Sequence, residues 1–182
     1  MIAIPADLSN VLDEAWEATR PVPGLLLENE ARFLGLLAAC TPATGRIVEI
    51  GSFKGRSTVM LAKVAAHYGL GRVVAIDPHT YNLSKKTAAG TGDCGRPAST
   101  HDDFLSSLRT AGVMEHVDIR HAISKDVSSS WNNPIRLLWI DGDHTYWRNG
   151  RFRWFCFACA TGRSYCLARR IERLFRPNPC FC

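Results

Sequence analysis

The sequence lacks the apolar segments that would place it in a membrane or direct it to secretion. No run of apolar residues approaches the roughly 20 residues that a helix needs to cross a bilayer. The first residues also lack the charged start, apolar core and small-residue cleavage site of a signal peptide. We therefore expect a cytoplasmic protein with no membrane partner, and its 182 residues suffice for one domain with a proper core.

Lysine is absent from residues 147–182, and acidic residues are scarce there. This segment holds eight Arg and one Glu, a net charge of +7, whereas residues 1–146 hold 14 basic and 16 acidic residues, a net charge of −2. The net charge of +5 for the whole chain therefore comes from the C-terminal segment. A basic segment can bind nucleic acid, but this one is unusual in other ways, described below, and we expect no nucleic-acid partner.

The glycine fingerprint of dinucleotide-binding folds, G-x-G-x-x-G, is also missing, which argues against a nicotinamide-dependent enzyme. Instead, residues 47–57 read I-V-E-I-G-S-F-K-G-R-S, an apolar run followed by Gly51 and Gly55. This order predicts a strand, a tight turn and a helix N-terminus, where a nucleotide-like ligand can bind. A purely structural turn of this kind is equally common.

A second predicted strand ends in an acid, Asp77, about one helix length after the glycine pair. An acid at this position can accept hydrogen bonds from both hydroxyl groups of a ribose. Its alternative role is that of a turn or helix-capping residue before Pro78. Glu49, in the first predicted strand, is expected to receive an amino group of the ligand, to hold the glycine turn in place, or both.

The rest of the pattern alternates helices with strands. The predicted helices cover residues 7–19, 28–40, 57–68 and 99–111, with a short helix or turn at 126–131, and the predicted strands cover residues 46–50, 72–76, 117–120 and 135–140. This alternation predicts an α/β fold with a doubly wound parallel sheet, in which ligands bind at the carboxyl ends of the strands. The polar, glycine-rich residues 81–97 are interpreted as a loop near the substrate, with disorder as the alternative.

Three segments together resemble a small subgroup of the class I S-adenosylmethionine-dependent methyltransferases. They are V-E-I-G-S-F-K-G-R-S-T at residues 48–58, V-V-A-I-D-P-H at residues 73–79 and L-L-W-I-D-G-D-H-T-Y at residues 137–146. The likeness covers residues 24–146 and implies a Rossmann-like methyltransferase fold. It divides the chain into an N-terminal helical cover (1–45), an S-adenosyl-L-methionine-binding α/β core (46–146) and an atypical C-terminal segment (147–182).

The resemblance also implies an activity and its residues. It is that of an O-methyltransferase acting on a small hydroxylated molecule, such as a sugar or a secondary metabolite, and it is compatible with a homodimer. The residues expected to bind the cofactor are Glu49, Gly51, Ser52, Gly55, Ser57, Asp77, His79, Ala122 and Asp141.

The segment D-G-D-H supplies the expected acceptor-side residues. His144 is the predicted general base, because imidazole titrates near neutral pH, and Asp143 lies beside it. Asp141 is expected to orient His144 or to bind a Mg²⁺ ion, which would lower the pKa of the acceptor hydroxyl. A solvated turn at the end of a strand is the alternative interpretation of these four residues.

The C-terminal segment departs from the family pattern. The family continues with an acidic helix, a Pro-Gly-Gly turn and a strand that ends in His-Asp, whereas residues 147–182 cluster Arg, Cys and Trp and sustain no helix or strand period. If one base is skipped at codon 147 and synonymous codons are chosen freely, the segment can be read with all three family features. We therefore expect a frameshift near codon 147, a missing fifth strand and weak or no catalysis by this chain.

Two alternatives stay open. An inactive remnant would bind the cofactor without turnover. A native C-terminal segment could instead hold zinc, since Cys156 and Cys159 have the spacing of metal ligands, and Cys166, Cys180 and Cys182 follow. No second C-x-x-C accompanies them.

Overall fold

The computed structural model describes residues 3–81, 98–142 and 165–168. Its strands are β1 (Arg46–Ile50), β2 (Val73–Ile76), β3 (Thr80–Tyr81), β4 (Ala98–Ser99), β5 (Val117–Arg120), β6 (Ile135–Ile140) and β7 (Tyr165–Ala168). Five of them form one parallel sheet in the order β5-β2-β1-β6-β7, and β3 pairs with β4 in a separate antiparallel ladder. The predicted doubly wound parallel sheet is confirmed.

The helices follow the predicted order as well. They are α1 (Leu8–Thr19), α2 (Glu28–Cys40), α3 (Arg56–His67), α4 (His101–Thr110) and α5 (Ser124–Ser129), with a 3-10 turn at Met114–His116. Each begins and ends within two residues of the predicted bounds. Within the described part of the chain, no helix is long and apolar enough to cross a membrane.

Both faces of the sheet are buried, so its central strands are almost entirely apolar. On one face, Ile47, Val73 and Leu137 pack with α1, α2, α3 and α4 into the larger core. On the other face, Val48 and Leu138 belong to a smaller core that α5 covers. Helix α3 lies at the centre of the larger core, because most of its residues are buried between the sheet, α1 and α2.

Arg136, the charged residue of β6, caps the end of α2. Its guanidinium donates hydrogen bonds to the carbonyl oxygens of Ala38 at 3.2 Å, Ala39 at 3.1 Å and Ala43 at 2.9 Å. The last carbonyls of a helix have no partner within the helix, and a cationic donor near them is favourable. Partial burial lowers the pKa of Arg136, and its three acceptors compensate for that loss of solvation.

The prediction that a fifth strand is missing is wrong. Tyr165–Ala168 pairs in parallel with β6, with Leu137 opposite Tyr165 and Ile140 opposite Ala168. This flank of β6 is therefore paired along four residues. This strand lies within the Arg- and Cys-rich residues 147–182, which sustain no strand period, so the pattern gave no sign of it.

The β3–β4 ladder was not predicted either. It joins the end of β2 to the start of α4 and encloses residues 82–97, which lie outside the described residues and hold most of the predicted substrate-side loop. Two-residue strands carry no sequence signal of their own, since they depend on backbone pairing alone.

Replacing Arg136 should destabilise the protein through α2. We expect Arg136→Met to lower the free energy of unfolding by about 2 kcal/mol, because charge-assisted hydrogen bonds are lost and partly buried carbonyls stay unpaired. Denaturant unfolding of this variant would be compared with Arg20→Met, which removes only an exposed ion pair with Glu17 and should change stability by less than about 0.5 kcal/mol. Equal losses in the two variants would contradict the capping role.

Candidate active site

Three carboxylates lie at the carboxyl ends of three neighbouring strands. Glu49 is the penultimate residue of β1, and Asp77 and Asp141 directly follow β2 and β6. Backbone hydrogen bonds hold the strand ends together: the Gly51 N–H donates to the last carbonyl of β2 at 2.9 Å, and the Asp141 N–H donates to the last carbonyl of β1 at 2.8 Å. The predicted meeting of these acids at one sheet edge is confirmed.

The Glu49 carboxylate has no exposed surface. Its two oxygens accept hydrogen bonds from the hydroxyl groups of Ser57 and Thr58, in the first turn of α3. Gly55 occupies the N-cap position of α3 without a side-chain hydrogen bond, so neither Ser52 nor Ser57 caps this helix. The Ser57 hydroxyl is used instead to solvate the buried acid.

Burial raises the pKa of Glu49 to about 7, although the two hydroxyl hydrogen bonds act to lower it, and repulsion from Asp141 and Asp77 adds to the increase. Near neutral pH this group is therefore divided between its neutral and ionised forms. Because folding raises its pKa, its contribution to stability is complete below its ordinary value of 4.5 and is lost as the pH rises through about 7. A bound cation would favour the ionised form.

The turn after β1, here called the glycine turn (residues 51–56), is shaped by the protein's own backbone. Gly51 has a φ of +92°, and a Cβ atom there would come under 3.0 Å from backbone atoms of Asp141 and Gly142. The chain leaving β6 therefore lies directly against Gly51. Only glycine allows both this φ and this close approach.

Neighbouring elements fix the rest of the glycine turn. Lys54 forms an ion pair with Asp103 of α4 at 2.7 Å. Arg56 donates a hydrogen bond to the Gly24 carbonyl at 2.9 Å, and its guanidinium carbon lies 5.3 Å from the ring centroid of Trp16. The turn is thus bound to α4 on one side and to α1 and the α1–α2 connection on the other.

Asp77 holds two strained backbone positions. Its Oδ2 accepts a hydrogen bond from the Phe53 N–H at 2.8 Å, and its Oδ1 accepts one from the His79 N–H at 2.6 Å. Phe53 and His79 have φ values of 49° and 50°, a left-handed conformation that residues with a Cβ rarely adopt. The structure thus gives Asp77 the turn role, and each oxygen keeps a further lone pair that a ligand hydroxyl could use.

The predicted ligand residue His79 has its ring enclosed by protein, with 2% of the residue exposed. The ring packs against Phe104 and against two further histidines, His101 and His121. A ring contact with a ligand would therefore require this cluster to open, whereas the Asp77 carboxylate beside it is partly exposed.

Four buried side-chain polar atoms lack a hydrogen-bond partner within the described residues. They are Ser52 Oγ, Arg56 Nε, His101 Nδ1 and Trp139 Nε1. All four belong to residues at or beside the carboxyl edge of the sheet, and Trp139 lies opposite Glu49 in the strand register. Because native proteins pair almost all buried polar groups, we expect these atoms to find partners beyond the described residues, in the remaining chain, in water or in a polar ligand.

The structure describes some of the remaining predicted site residues and not others. Ala122 follows β5 at the same edge, and its N–H donates to the Arg120 carbonyl at 2.8 Å. Asp143 and His144 lie outside the described residues, so the prediction of a catalytic pair is untested. The cysteines of the zinc alternative belong to the C-terminal segment, of which the structure describes only the backbone of β7.

The described residues do not fit a metal ion. Across residues 3–81 and 98–142, no group of three His, Cys, Asp or Glu side chains is arranged to hold one. Asp141 as a Mg²⁺ ligand therefore stays a prediction, and no step proposed below passes through a metal.

Sequence reasoning missed several contributors to this edge. Thr58 was quoted within a motif but its hydroxyl was given no role, although the buried Glu49 requires a second donor. Trp139 was interpreted only as part of an apolar strand. The meeting of His101 with His79 and His121 depends on how α4 packs against the ends of β2 and β5, which no local pattern reveals.

Comparison with known proteins identifies the family. A family model described as a methyltransferase domain matches residues 48–161, more than half of the chain, and the chain therefore belongs to this family. The match continues past Tyr146, so the expectation that the likeness ends there is wrong.

Solved structures share the fold. A cofactor-bound protein, Rv0187 from MTB, is 24% identical, with a TM-score of 0.54, and the match covers 85% of this chain and 61% of that one. An O-methyltransferase from Bacillus cereus in complex with SAH is 23% identical, with a TM-score of 0.52 and coverage of 85% and 61%. The SAH-bound Podospora anserina methyltransferase PaMTH1 is 14% identical, with a TM-score of 0.58 and coverage of 91% and 62%. This chain thus spans about three fifths of their length.

The contact at Gly51 yields a test of the glycine turn. We expect Gly51→Ala to destabilise the fold by at least about 3 kcal/mol, because the left-handed φ is unfavourable and the added methyl meets backbone that cannot move aside. Gly112→Ala is the matched control: its φ is +65°, but nothing lies within 4 Å of the added Cβ, so the loss should be about 1 kcal/mol. Thermal unfolding would measure both, and similar losses would contradict the close approach.

Proposed function

We propose that this chain binds S-adenosyl-L-methionine at the carboxyl edge of β2, β1 and β6 and belongs to an O-methyltransferase that acts on a small hydroxylated molecule. The observation that carries the proposal is the arrangement of Glu49, Asp77 and Asp141 around the glycine turn, beside buried polar atoms that lack partners. An acidic edge with open hydrogen-bonding positions suits a cationic, hydroxyl-rich ligand such as this cofactor.

Each acid would have its own task. Asp77, whose oxygens already accept two backbone N–H groups, would use its remaining lone pairs for the ribose hydroxyls. Glu49 would ionise when the cationic ligand arrives, since an adjacent positive charge offsets the burial that raises its pKa to about 7. Asp141 would add to the negative potential around the ligand. The buried hydroxyl of Ser52 is available for a polar group of the cofactor.

The acceptor side is proposed from the sequence. When bound, the cofactor would supply a methyl group on a sulfonium, which passes in line to the acceptor oxygen as the C–S bond breaks and the thioether S-adenosylhomocysteine leaves. The protein must hold that oxygen close to the methyl group and remove its proton. His144, three residues after Asp141, would take the proton at an imidazole nitrogen, and Asp143 would orient the acceptor or the base. A homodimer stays a prediction.

The solved relatives support the O-methyl class. The Bacillus cereus protein is named an O-methyltransferase and was solved with SAH. At identities below 25%, these likenesses establish a shared fold, so the acceptor class rests on the proposal and its test.

Binding of S-adenosylhomocysteine tests the proposal directly. We expect calorimetry at pH 7.5 to detect binding to the unaltered chain, and Asp77→Asn to raise Kd by about 10- to 100-fold, because a charge-assisted hydrogen bond is worth about 1.5–3 kcal/mol. The control is Asp118→Asn: Asp118 pairs with Arg46 at the opposite edge of the sheet and should leave Kd unchanged. Circular dichroism would verify folding. Absence of binding by the unaltered chain would refute the proposed function.

For residues 147–182 we infer a shifted reading frame that begins near codon 147. The support is an Arg-only basicity with clustered Cys and Trp, and a shifted reading that restores the acidic helix, the Pro-Gly-Gly turn and the His-Asp strand end. The rival is a native segment, and strand β7 together with the family match through residue 161 favours it. Under the first account this chain is a cofactor-binding remnant, and under the second it is catalytic as it stands.

Sequencing the coding DNA from codon 140 to well past codon 182 separates these accounts. We expect one base to be missing or extra near codon 147, with an open frame that continues through Pro-Gly-Gly and His-Asp. An unaltered frame with a stop after Cys182 would reject the shift. Methyl transfer by the purified 182-residue chain, followed by mass spectrometry, would reject the prediction of weak or no catalysis.

A further inference from the structure

We propose that His79, His101 and His121 form a positioning cluster that holds the Asp77 carboxylate in its binding geometry while the rings are neutral and releases it when they become protonated. Cofactor affinity would therefore fall in mildly acidic solution. This inference rests on the proposed function, because it describes how pH would regulate binding at the same edge of the sheet. The three histidines are positioning residues, since none of them is required to touch the ligand.

The rings come from three separate elements. His79 follows β2, His101 is the first residue of α4, and His121 follows β5. The ring centroid of His79 lies 4.9 Å from that of His101 and 5.3 Å from that of His121. The rings of His101 and His121 stack 4.5 Å apart with an interplanar angle of 21°. The cluster thus joins the ends of two strands to the start of the helix between them.

The link from the cluster to Asp77 is short and direct. The His79 N–H donates to Asp77 Oδ1, and the other oxygen of that carboxylate holds the Phe53 N–H in the glycine turn. Ring packing against Phe104 and the hydrogen bond to Asp77 together hold the left-handed backbone of His79. A displacement of the ring would therefore move the N–H that orients Asp77 and would loosen the glycine turn as well.

The surroundings favour neutral rings. The described titratable groups that contact the His79 ring are Asp77, whose Oδ1 lies 3.9 Å from His79 Nδ1, and the other two histidines. Its other neighbours, Thr100 and Phe104, are uncharged. One carboxylate can offset one added proton, but a second proton would place like charges about 5 Å apart in a partly desolvated site.

Two further contacts concern the other rings. His101 Nδ1 is buried without a partner among the described residues, and a charged ring would leave its N–H unpaired away from water. His121 Nε2 lies 3.0 Å from the Pro78 carbonyl, a contact that fixes the position of this ring and that either protonation state can donate. On α4, Asp103 is paired with Lys54, and Asp77 is the carboxylate that the described contacts place against His79.

Burial lowers the pKa of His79, Asp77 opposes that change, and His101 and His121 lower the pKa further. The stability that the neutral ring contributes is therefore complete above its ordinary value of 6.5 and is lost as the pH falls through the lowered folded-state value. Glu49 changes stability in the opposite direction, because its pKa is raised by burial. For cofactor affinity, however, protonation of either group is unfavourable, so the experiment must separate them.

The test is calorimetric titration with S-adenosylhomocysteine between pH 5.5 and pH 8. We expect Kd of the Glu49→Gln variant to rise at least about tenfold from pH 7.5 to pH 5.5, and the double variant His101→Gln/His121→Gln, made in the same Glu49→Gln background, to reduce that rise to less than about threefold. Glu49→Gln should retain the rise of Kd in acid, which would show that this rise does not come from titration of Glu49. His67→Gln is the matched control, since His67 is an exposed histidine paired with Asp7, and its profile should equal that of the unaltered chain.

A pH-independent Kd, or an equally steep rise in the double variant, would overturn the proposal. If the unaltered chain binds no cofactor at any pH, the proposed function fails, and NMR titration of the ligand-free protein still decides the cluster. We expect the imidazole of His79 to titrate below its ordinary pKa. A titration of His79 at its ordinary value of 6.5 would overturn the cluster, and the same measurement decides the matter if the double variant does not fold.

Discussion

The buried carboxylate of Glu49 is the constraint on which the arrangement of this edge depends. A charge without exposed surface is unfavourable unless hydrogen bonds replace the lost water, and here two hydroxyl groups of α3 do so. Their positions fix where α3 begins relative to β1, and therefore where the glycine turn lies. With two more acids at the neighbouring strand ends, the edge carries an excess of negative charge that a cationic ligand would neutralise.

Much of the fold followed from local pattern, because the central strands are buried on both faces and read as short apolar runs between turns. The bounds of α2, β1, β5 and β6 were predicted to the residue. What pattern could not supply was pairing between distant segments. The β3–β4 ladder and β7 are two to four residues long, and they form because an adjacent backbone edge accepts them.

The same distinction between local pattern and contacts of distant segments holds for the candidate site. Glu49 and Asp77 were predicted as site residues because each is an acid at the end of an apolar strand beside the glycine turn, and their roles toward a ligand stay a prediction. Their protein partners were not predicted, since the left-handed Phe53 and the hydroxyl of Thr58 acquire meaning only when the turn folds back. Atoms without partners, such as Trp139 Nε1, are invisible in a sequence, because an unmet hydrogen bond is a property of packing.

Arg136 has a consequence for how the chain folds during synthesis. The carbonyls that it caps precede it by 93 to 98 residues, so the end of α2 stays uncapped until most of the sheet has been made. A contact of this sequence separation carries a large loop-closure cost and forms late. The two N-terminal helices, although translated first, would therefore reach their final stability only after β6 is in place, and a ribosome paused before codon 136 would present them to chaperones with the end of α2 frayed.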